Sequence, residues 1–239
     1  MRDAREDWRR YDAGRIPSKA ATPQLDGFLT AVQWTAPADR PLVLLDVGCG
    51  TGGIARRLYE RGFSVLGIDV NPEAVSAAWQ LAVSADASGR GLRFAEADFA
   101  AERAPRIDGG PFDVAVCQLV LSIIGDARHR ANLLRNVGQH LRPGGWLFLS
   151  ASGVSDTINA GYARLYTEDH HLTGERHTYL SRDEAGTVLY MTHHFTTDEL
   201  LGLLETADFR EISLTTEKES SSRRPDEAAY FHYVTCRRP

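Results

Sequence analysis

Cysteine is scarce in this sequence, where Cys49, Cys117 and Cys236 are the only three in 239 residues. They lie far apart, each inside an apolar segment, and none belongs to the paired Cys and His spacings of a structural zinc site. The same spacings argue against a disulfide framework. We therefore expect three reduced, buried thiols, which are typical of a cytoplasmic protein.

Long apolar runs and an excess of positive charge are also missing. No run approaches the length that crosses a bilayer, and residues 2–7 are too charged for a signal peptide, so we expect no membrane partner. The net charge of −5 disfavours a nucleic-acid partner, because phosphates attract a basic surface. The composition is otherwise that of a globular protein, and its length predicts a single domain over residues 1–239.

Glycine, by contrast, is concentrated in one stretch behind an apolar run. Residues 42–45 predict a strand buried on both faces, and a helical apolar spacing begins at Ile54. A turn lies between them, with an acid at its start, and contains Asp46, Gly48, Cys49, Gly50 and Gly52. Because glycine adopts positive φ and carries no Cβ, this strand, turn and helix predict a binding site for a small, oxygen-rich ligand.

Two ligand classes fit this turn. Gly48, Gly50 and Gly53 match the dinucleotide pattern G-x-G-x-x-G, and Asp69 lies at about the spacing of a ribose-binding acid, which indicates an NAD(P)-dependent oxidoreductase. Asp46 indicates the other class, since its carboxylate would repel a pyrophosphate but attract the cationic amine and sulfonium of S-adenosylmethionine. We prefer S-adenosylmethionine and keep the oxidoreductase as the alternative.

Strand and helix patterns alternate from residue 42 to residue 150, which predicts a parallel, doubly wound α/β sheet. The predicted strands after the first are residues 63–69, 91–95, 112–117 and 146–150, and a helix spans about 128–141. Two further strands, residues 209–214 and 229–234, close the chain and are expected to be antiparallel.

Two segments lie outside this alternation. The N-terminal residues hold short helical patterns that carry Trp8 and Tyr11, which are either packing anchors or parts of a lid over the site. An insertion after the fifth strand, residues 151–195, is called the cover; it predicts no long helix but a β-hairpin over 179–191. A capping box at 196–199 then starts a helix. The predicted division into lid, ligand-binding half, cover and C-terminal part is residues 1–40, 41–150, 151–195 and 196–239.

Five landmarks stand in order along the chain: the glycine turn, Asp69, Asp98 with Phe99, Asp113, and residues 141–145. With the turn spelled D-V-G-C-G-T-G, they closely resemble the class I S-adenosylmethionine-dependent methyltransferases of the small-molecule type, over roughly residues 40–150. The resemblance implies a Rossmann-like seven-stranded sheet of order 3-2-1-4-5-7-6 with strand seven antiparallel. It also implies an N-terminal helical lid and an insertion after strand five.

The resemblance further implies donor-binding roles for one set of residues: Asp46, Gly48, Cys49, Gly50, Gly52, Asp69, Val70, Asp98, Phe99 and Gln118. Asp46 would reach the methionine amine, Asp69 would accept from both ribose hydroxyls, and Asp98 would accept from the adenine amino group. The glycines would form the turn under the donor, and Val70 and Phe99 would flank the adenine ring.

The acceptor side is marked less clearly. Residues 117–121, at the end of the fourth strand, lack the Asn/Asp-Pro-Pro-aromatic motif of enzymes that methylate amino groups of DNA bases or protein glutamine. This disfavours methylation of those amino groups. The resemblance implies instead that Gln118, at this strand end, borders the transferred methyl group.

Two adjacent histidines, His193 and His194, precede the capped helix, where the chain often faces the acceptor in this family. Either is a candidate general base that would deprotonate a hydroxyl at neutral pH; the alternative is a pair of hydrogen-bonded loop histidines. The histidines of residues 170–194 lack metal-ligand spacing, so we expect no metal. The candidate acceptor-binding residues are Tyr11, Tyr166, Tyr190 and His194; the alternative is that the aromatic residues form the cover's own core.

The combined prediction is a methyltransferase that uses S-adenosylmethionine to methylate oxygen or nitrogen of a small molecule, such as a natural product of secondary metabolism. We expect a monomer or homodimer. The alternatives are the oxidoreductase, a methyltransferase acting on a macromolecule, and a protein that binds S-adenosylmethionine without catalysis.

Overall fold

A computed structural model of the chain describes residues 4–16, 22–35, 37, 39–84, 91–221 and 226–239. The helices are α1 (Ala4–Arg9), α2 (Pro23–Gln33), α3 (Gly53–Glu60), α4 (Pro72–Ser84), α5 (Ala127–His140), α6 (Ala160–Thr173) and α7 (Thr197–Thr206). The strands are β1 (Val43–Val47), β2 (Ser64–Asp69), β3 (Leu92–Glu96), β4 (Phe112–Gln118), β5 (Leu141–Gly153), β6 (Thr178–Arg182), β7 (Val188–His193), β8 (Arg210–Ser220) and β9 (Ala228–Arg237). Short 3₁₀ turns lie at Ala13–Arg15 and Leu121–Ile123.

Seven of these strands form one sheet in the order β3-β2-β1-β4-β5-β9-β8. Strands β1 to β5 pair in parallel, while β9 pairs antiparallel with both β5 and β8. Because β8 and β9 are the sixth and seventh strands of this sheet along the chain, the predicted order 3-2-1-4-5-7-6 is confirmed. The antiparallel seventh strand is confirmed with it.

Helices pack on both faces of the sheet, since successive side chains of a strand point to opposite faces. On β1, Leu44 belongs to the core that α2, α3 and α4 share, whereas Leu45 belongs to the core beneath α5 and α7. Both residues are fully buried. The predicted buried thiols are confirmed for all three cysteines, which are free: Cys49, Cys117 and Cys236.

The cover contains a helix that the sequence did not predict. Helix α6 runs for 14 residues, with Asn159 capping its first turn and Gly174 ending it in the left-handed region. Its buried face is formed by Tyr162, Tyr166 and Asp169. The prediction of no long helix in the cover was wrong, because tyrosines and a buried acid replace the aliphatic residues that mark a helix in sequence.

The predicted hairpin of the cover is confirmed. Strands β6 and β7 pair antiparallel, with Tyr179 opposite Thr192. A single bridge between Gly153 and Phe195 then attaches the end of the hairpin to the end of β5. The cover therefore rests directly on the carboxyl edge of the main sheet.

The N-terminal helix α1 lies against β7 of the cover. The buried Asn71 holds it there, because the Asn71 amide donates to the carbonyl oxygens of Trp8 at 3.0 Å and Tyr11 at 2.7 Å. Residues 1–3, 17–21, 36 and 38 of the predicted lid lie outside the described residues. The boundaries of the lid, the cover and the C-terminal part stay predictions. Within the described part of the chain, none of the helices has the length and apolar character needed to cross a bilayer.

Candidate active site

A cavity of about 430 Å³ opens at the carboxyl edge of the parallel strands, beneath the cover. Parallel pairing creates this edge, because it brings the ends of β1, β2 and β4 together. Of the predicted donor-binding residues, Gly52 lies behind the cavity wall. The others line the cavity: Asp46, Gly48, Cys49, Gly50, Asp69, Val70, Asp98, Phe99 and Gln118.

The turn after β1 requires glycine at two positions. Gly48 has a φ of +72°, and a Cβ there would lie 2.3 Å from Cγ2 of Val120. Gly52 has a φ of +86°, and a Cβ there would lie 2.9 Å from the ring of Phe94. The Gly48 N–H donates to the carbonyl of Ile68 at 2.8 Å, which ties the turn to the end of β2. The turn is thus packed from behind by side chains and presents backbone to the cavity.

Asp69, the last residue of β2, holds the glycine turn and faces the cavity. One carboxylate oxygen accepts from the Gly50 N–H at 2.8 Å, and the other accepts from the Asn71 N–H at 2.9 Å. Each oxygen keeps a further acceptor position, so the pair can accept from two neighbouring hydroxyls. Burial raises the pKa of Asp69, with the hydrogen bonds from Asn71 and Gly50 acting against the rise.

Asp46 and Gln118 each present a buried polar atom without a hydrogen-bond partner among the described residues, Oδ2 of Asp46 and Nε2 of Gln118. Burial first, and the charge of Asp69 second, raise the pKa of Asp46 to about 7. A buried carboxylate oxygen without a partner is costly unless a cation or a donor reaches it. These residues therefore fit a ligand that carries a positive charge, as the methionine amine of S-adenosylmethionine does.

Asp98 and Phe99 extend the same wall beyond β3. An Asp98 carboxylate oxygen accepts from the Ala100 N–H at 2.9 Å, which fixes the side chain in a short turn at the cavity. Phe99 is buried and packs on His140, with ring centroids 4.9 Å apart. A hydrogen-bond acceptor and an aromatic ring thus line the cavity together with Asp69.

The opposite wall, formed by the lid, the cover and Ser221 after β8, is aromatic and rich in hydroxyl groups. Many of these hydroxyls pair with each other, as between Tyr162 and Ser221 at 2.9 Å and between Ser181 and Thr192 at 2.9 Å. The residues of this wall are Trp8, Tyr162, Tyr179, Ser181, Tyr190, Thr192, His194 and Ser221. From sequence, Tyr162 and Tyr179 could line an acceptor pocket or form the cover's own core, and Trp8 could be a lid contact or a packing anchor. The serine and threonine residues were not considered, because single hydroxyl residues in different elements form no pattern.

Charge is distributed unevenly between the two walls. The carboxylates of the cavity, Asp46, Asp69 and Asp98, all lie on the sheet side. Lysine and arginine are absent from the described residues that line it. The cavity therefore combines an acidic half with a half that carries no charged side chain.

The two predicted histidines have different surroundings. Only His194 lines the cavity. The Nδ1 of His193 lies 2.7 Å from the Thr178 hydroxyl and its Nε2 lies 2.9 Å from Oε1 of Glu199, so both ring nitrogens are engaged away from the cavity. The prediction of His193 as a general base is therefore corrected: consecutive residues at the end of β7 point to opposite sides.

His194 is buried against tyrosines, and its Nδ1 lies 2.6 Å from the Tyr166 hydroxyl. Burial, followed by the neighbouring histidines, lowers the pKa of His194 to about 3. A ring with this pKa holds a proton poorly at neutral pH, which disfavours the predicted role of His194 as a general base; that role stays a prediction.

Of the predicted acceptor-binding tyrosines, Tyr190 lines the cavity and two others stand behind its wall. Tyr166 lies behind His194, to which it is hydrogen-bonded. Tyr11 packs on Trp8 at 4.9 Å and on Tyr190 at 5.7 Å between ring centroids. Tyr11 and Tyr166 are thus placed to support the wall rather than to contact a ligand.

A group of possible metal-ligating atoms lies outside the cavity. Side-chain atoms of Glu175, His193 and Glu199 lie within 4.8 Å of one another. The buried guanidinium of Arg130 donates to Glu175 and lies 4.0 Å from Glu199. Arg130 supplies the positive charge that these carboxylates need, so we interpret the group as an ion-pair cluster and do not propose a metal.

Comparison with known proteins places this geometry in a family. A family model described as a methyltransferase domain matches residues 21–214. The ubiquinone biosynthesis O-methyltransferase of Leptothrix cholodnii is 33% identical over 109 residues, which are 46% of this chain and 43% of that protein. The same enzyme of Pseudomonas paraeruginosa is 37% identical over 111 residues, 45% of this chain and 43% of that protein. The chain thus matches less than half the length of these curated relatives.

Solved structures share the whole architecture. A SAM-dependent methyltransferase from Methanosarcina mazei superposes with a TM-score of 0.78 at 26% identity, covering 92% of this chain and 99% of that one. Phosphoethanolamine N-methyltransferase 2 of Haemonchus contortus, in complex with phosphomonomethylethanolamine and S-adenosylhomocysteine, gives a TM-score of 0.61 at 14% identity. It covers 90% of this chain and 52% of that one, and shows likeness of fold alone.

These matches confirm the Rossmann-like fold, the class I resemblance and S-adenosylmethionine as the cofactor, and they do not favour the oxidoreductase. The family model spans most of the chain, including the glycine turn, the cover and α7. The chain therefore belongs to the methyltransferase domain family.

Proposed function

We propose that this protein transfers a methyl group from S-adenosylmethionine to an oxygen atom of an uncharged small molecule. The observation that carries the proposal is that one continuous cavity joins an acidic wall to an aromatic wall without charged side chains. An amine or a phosphorylated acceptor would call for an acid or a base on the aromatic wall. The names of the two curated relatives, both O-methyltransferases, support oxygen as the methylated atom.

The acidic wall would hold the donor through three carboxylates. Asp46 would pair with the methionine amine, since its Oδ2 has no other partner among the described residues. Asp69 would accept from the two ribose hydroxyls, and Asp98 would accept from the adenine amino group. Gln118, at the end of β4, would lie between the donor and the acceptor.

The chain would act mainly by alignment and exclusion of water. When bound by Asp46, Asp69 and Asp98, the donor would supply a methyl group on a cationic sulfur, which would take back the bonding electron pair as the acceptor oxygen gains the methyl group and its hydroxyl proton passes to solvent. The rings of Trp8 and Tyr190, 4.4 Å apart, would close the acceptor half against water. Alignment of two reactants in this way can supply about 7–11 kcal/mol.

Methyl transfer to neutral phenols is the direct test. The protein is incubated with S-adenosylmethionine and neutral phenols, with carboxylated phenols and primary amines as matched sets. Formation of S-adenosylhomocysteine and a product heavier by one methylene unit is expected for neutral phenols and much less for the other two sets. Tighter binding of NADH than of S-adenosylmethionine in calorimetry, without methylated product, contradicts the proposal.

Binding of S-adenosylhomocysteine is expected to depend on pH through Asp46. Its carboxylate must be ionised to pair with the ligand ammonium, and its pKa without a partner is about 7. The affinity should therefore rise with pH up to about 7 and level off above, losing up to about tenfold for each pH unit below. Calorimetry from acidic to mildly alkaline pH measures this slope.

Two controls separate Asp46 from other titrating groups. Asp46→Asn should weaken binding and flatten the pH dependence. 5′-Methylthioadenosine, which lacks the amino acid portion, should bind the unchanged protein with little dependence on pH. Equal slopes for the two ligands would show that Asp46 does not contact the amine.

A further inference from the structure

His194 is fixed on the cavity wall by the backbone on both sides of it. Its own N–H donates to the carbonyl of His177 at 3.0 Å, and the N–H of Phe195 donates to the carbonyl of Ser152 at 2.8 Å. These bonds join the end of the hairpin to the end of β5. The backbone of His194 is therefore held in place at the cavity, whose wall the residue lines with only 2% of its surface exposed.

A short chain of hydrogen bonds assigns the proton on this ring. The Ser155 N–H donates to the Tyr166 hydroxyl oxygen at 3.4 Å, and a backbone N–H can only donate. The short contact of the Tyr166 hydroxyl is with Nδ1 of His194 at 2.6 Å, and we place the hydroxyl hydrogen there, because towards Ser155 it would meet the N–H hydrogen. Since a neutral imidazole carries one hydrogen, Nδ1 accepts and Nε2 holds the N–H.

We propose that His194 presents its Nε2–H to the cavity as a hydrogen-bond donor that orients the acceptor, and that Tyr166 is the positioning residue that fixes this tautomer. The partner recorded for Nε2 is the Tyr179 hydroxyl, at 3.4 Å. This distance is long for a hydrogen bond, so the N–H retains capacity for an oxygen lone pair of a ligand. The inference rests on the proposed function and assigns a contact within that site.

The surroundings of His194 keep the ring neutral. Tyr162 and Tyr166 of α6 and Tyr179 of β6 pack against it. The other groups that act on its charge are the histidines His177, His193 and His232, which disfavour a second positive charge. No carboxylate among the described residues is recorded as stabilising a protonated ring. The ring can thus donate one hydrogen bond but cannot take the proton of an acceptor hydroxyl.

This donor defines a class of acceptor. On a wall of aromatic rings whose hydroxyls include the pairs Tyr162 with Ser221 and Ser181 with Thr192, this N–H selects a planar molecule with a second oxygen, a hydroxyl, ether or carbonyl, near the hydroxyl that is methylated. Trp8 and Tyr190 supply flat surfaces for such a ring. A phenol with a neighbouring oxygen should therefore bind better than the phenol alone.

The tautomer can be measured without turnover. The full chain is labelled with ¹⁵N at the histidine ring nitrogens and loaded with S-adenosylhomocysteine, and long-range ¹H–¹⁵N spectra then show which nitrogen of each ring carries the proton. The signals that disappear in His194→Gln belong to His194. We expect a neutral ring with the proton on Nε2 and no titration between about pH 5.5 and 8.5. In Tyr166→Phe the single tautomer should give way to a mixture. A proton on Nδ1, or a ring that titrates in this range, overturns the proposal.

A matched pair of acceptors tests the contact itself. Catechol and phenol differ by one neighbouring hydroxyl, and the unchanged protein is expected to prefer catechol in kcat/KM by about tenfold, as expected for one hydrogen bond. His194→Gln keeps an N–H donor and should keep part of the preference, whereas His194→Ala should lose it through KM. A general base would give a different result, because His194→Ala would lower kcat equally for both acceptors.

The two proposals fail in different ways. If neither phenol is methylated, catechol added to the S-adenosylhomocysteine complex should still shift the Nε2 signal of His194 more than phenol does. Equal shifts, or none, refute the donor role. Absence of methyl transfer across all three acceptor sets, with the Nε2–H tautomer present, counts against the proposed function and leaves the assignment of the ring intact.

Discussion

Asp69→Ala is expected to weaken the binding of S-adenosylhomocysteine by about 100-fold or more, because two charge-assisted hydrogen bonds to the ribose hydroxyls are lost. The same carboxylate accepts from the N–H groups of Gly50 and Asn71, so the glycine turn also loses one of its bonds to the end of β2, while the bond from Gly48 to Ile68 remains. Calorimetry gives the affinity, and thermal unfolding of the free protein shows how much of the change comes from the turn itself.

Glu96 provides the matched control. It lies directly opposite Asp69 in the pairing of β2 with β3, but it is exposed, bonds to Arg9 at 3.4 Å and lies outside the cavity wall. Glu96→Gln should change the affinity by less than about twofold, as is typical of an exposed pair. Asp69→Asn, which keeps one acceptor oxygen, should give an intermediate loss. An affinity for Asp69→Ala close to that of Glu96→Gln, in a stably folded protein, means that Asp69 does not bind the ribose.

The donor half of the site could be predicted from sequence because its residues follow strands in a regular way. Asp46, Asp69 and Gln118 each stand in the last residues of an apolar strand segment, and Asp98 follows one. Parallel pairing then brings these ends to one edge whatever the details of packing. The glycine turn adds a local signal, since the positive φ and the close contacts at Gly48 and Gly52 leave no room for a side chain.

The acceptor half could not be assigned in the same way, because its wall comes from separate elements. Trp8 lies on α1, Tyr162 on α6 and Ser221 after β8, and only the folded chain brings them together. The two histidines show a further limit. His193 and His194 are neighbours in sequence, but which of them faces the cavity depends on the register of β7, which no sequence pattern specified.

Helix α6 and Arg130 show why buried polar residues were not predicted from the sequence. The buried face of α6 consists of two tyrosines and Asp169, which accepts from Arg182 at 2.7 Å. Arg130 lies on α5 among exposed charged residues in sequence, yet only 1% of it is exposed. An arginine is expected at the surface unless partners are in place, and those partners come from distant segments. The periodicity of apolar residues in a sequence predicts apolar buried faces, but it does not predict the burial of charged residues that are paired with distant partners.

Arg130→Met is expected to destabilise the protein by about 3–5 kcal/mol, because removal of one member of a buried ion pair leaves the other uncompensated. Its guanidinium donates to the carbonyls of Ile124 at 3.0 Å and Gly125 at 3.1 Å, and to Glu175. Oε1 of Glu199 lies 4.0 Å from the Arg130 guanidinium and 2.9 Å from Nε2 of His193. Urea unfolding followed by circular dichroism measures the free energy of unfolding.

Arg128 is the control on the same helix. Its side chain is 86% exposed and pairs with Asp126 at 3.6 Å, so Arg128→Met should cost less than about 1 kcal/mol. Glu175→Gln added to Arg130→Met should recover part of the loss, because it removes the uncompensated charge. If Arg130→Met costs no more than Arg128→Met, the cluster does not hold the cover to α5. If it costs several times more, the cover that carries His194 depends on a charge outside the cavity, and acceptor binding should weaken together with stability.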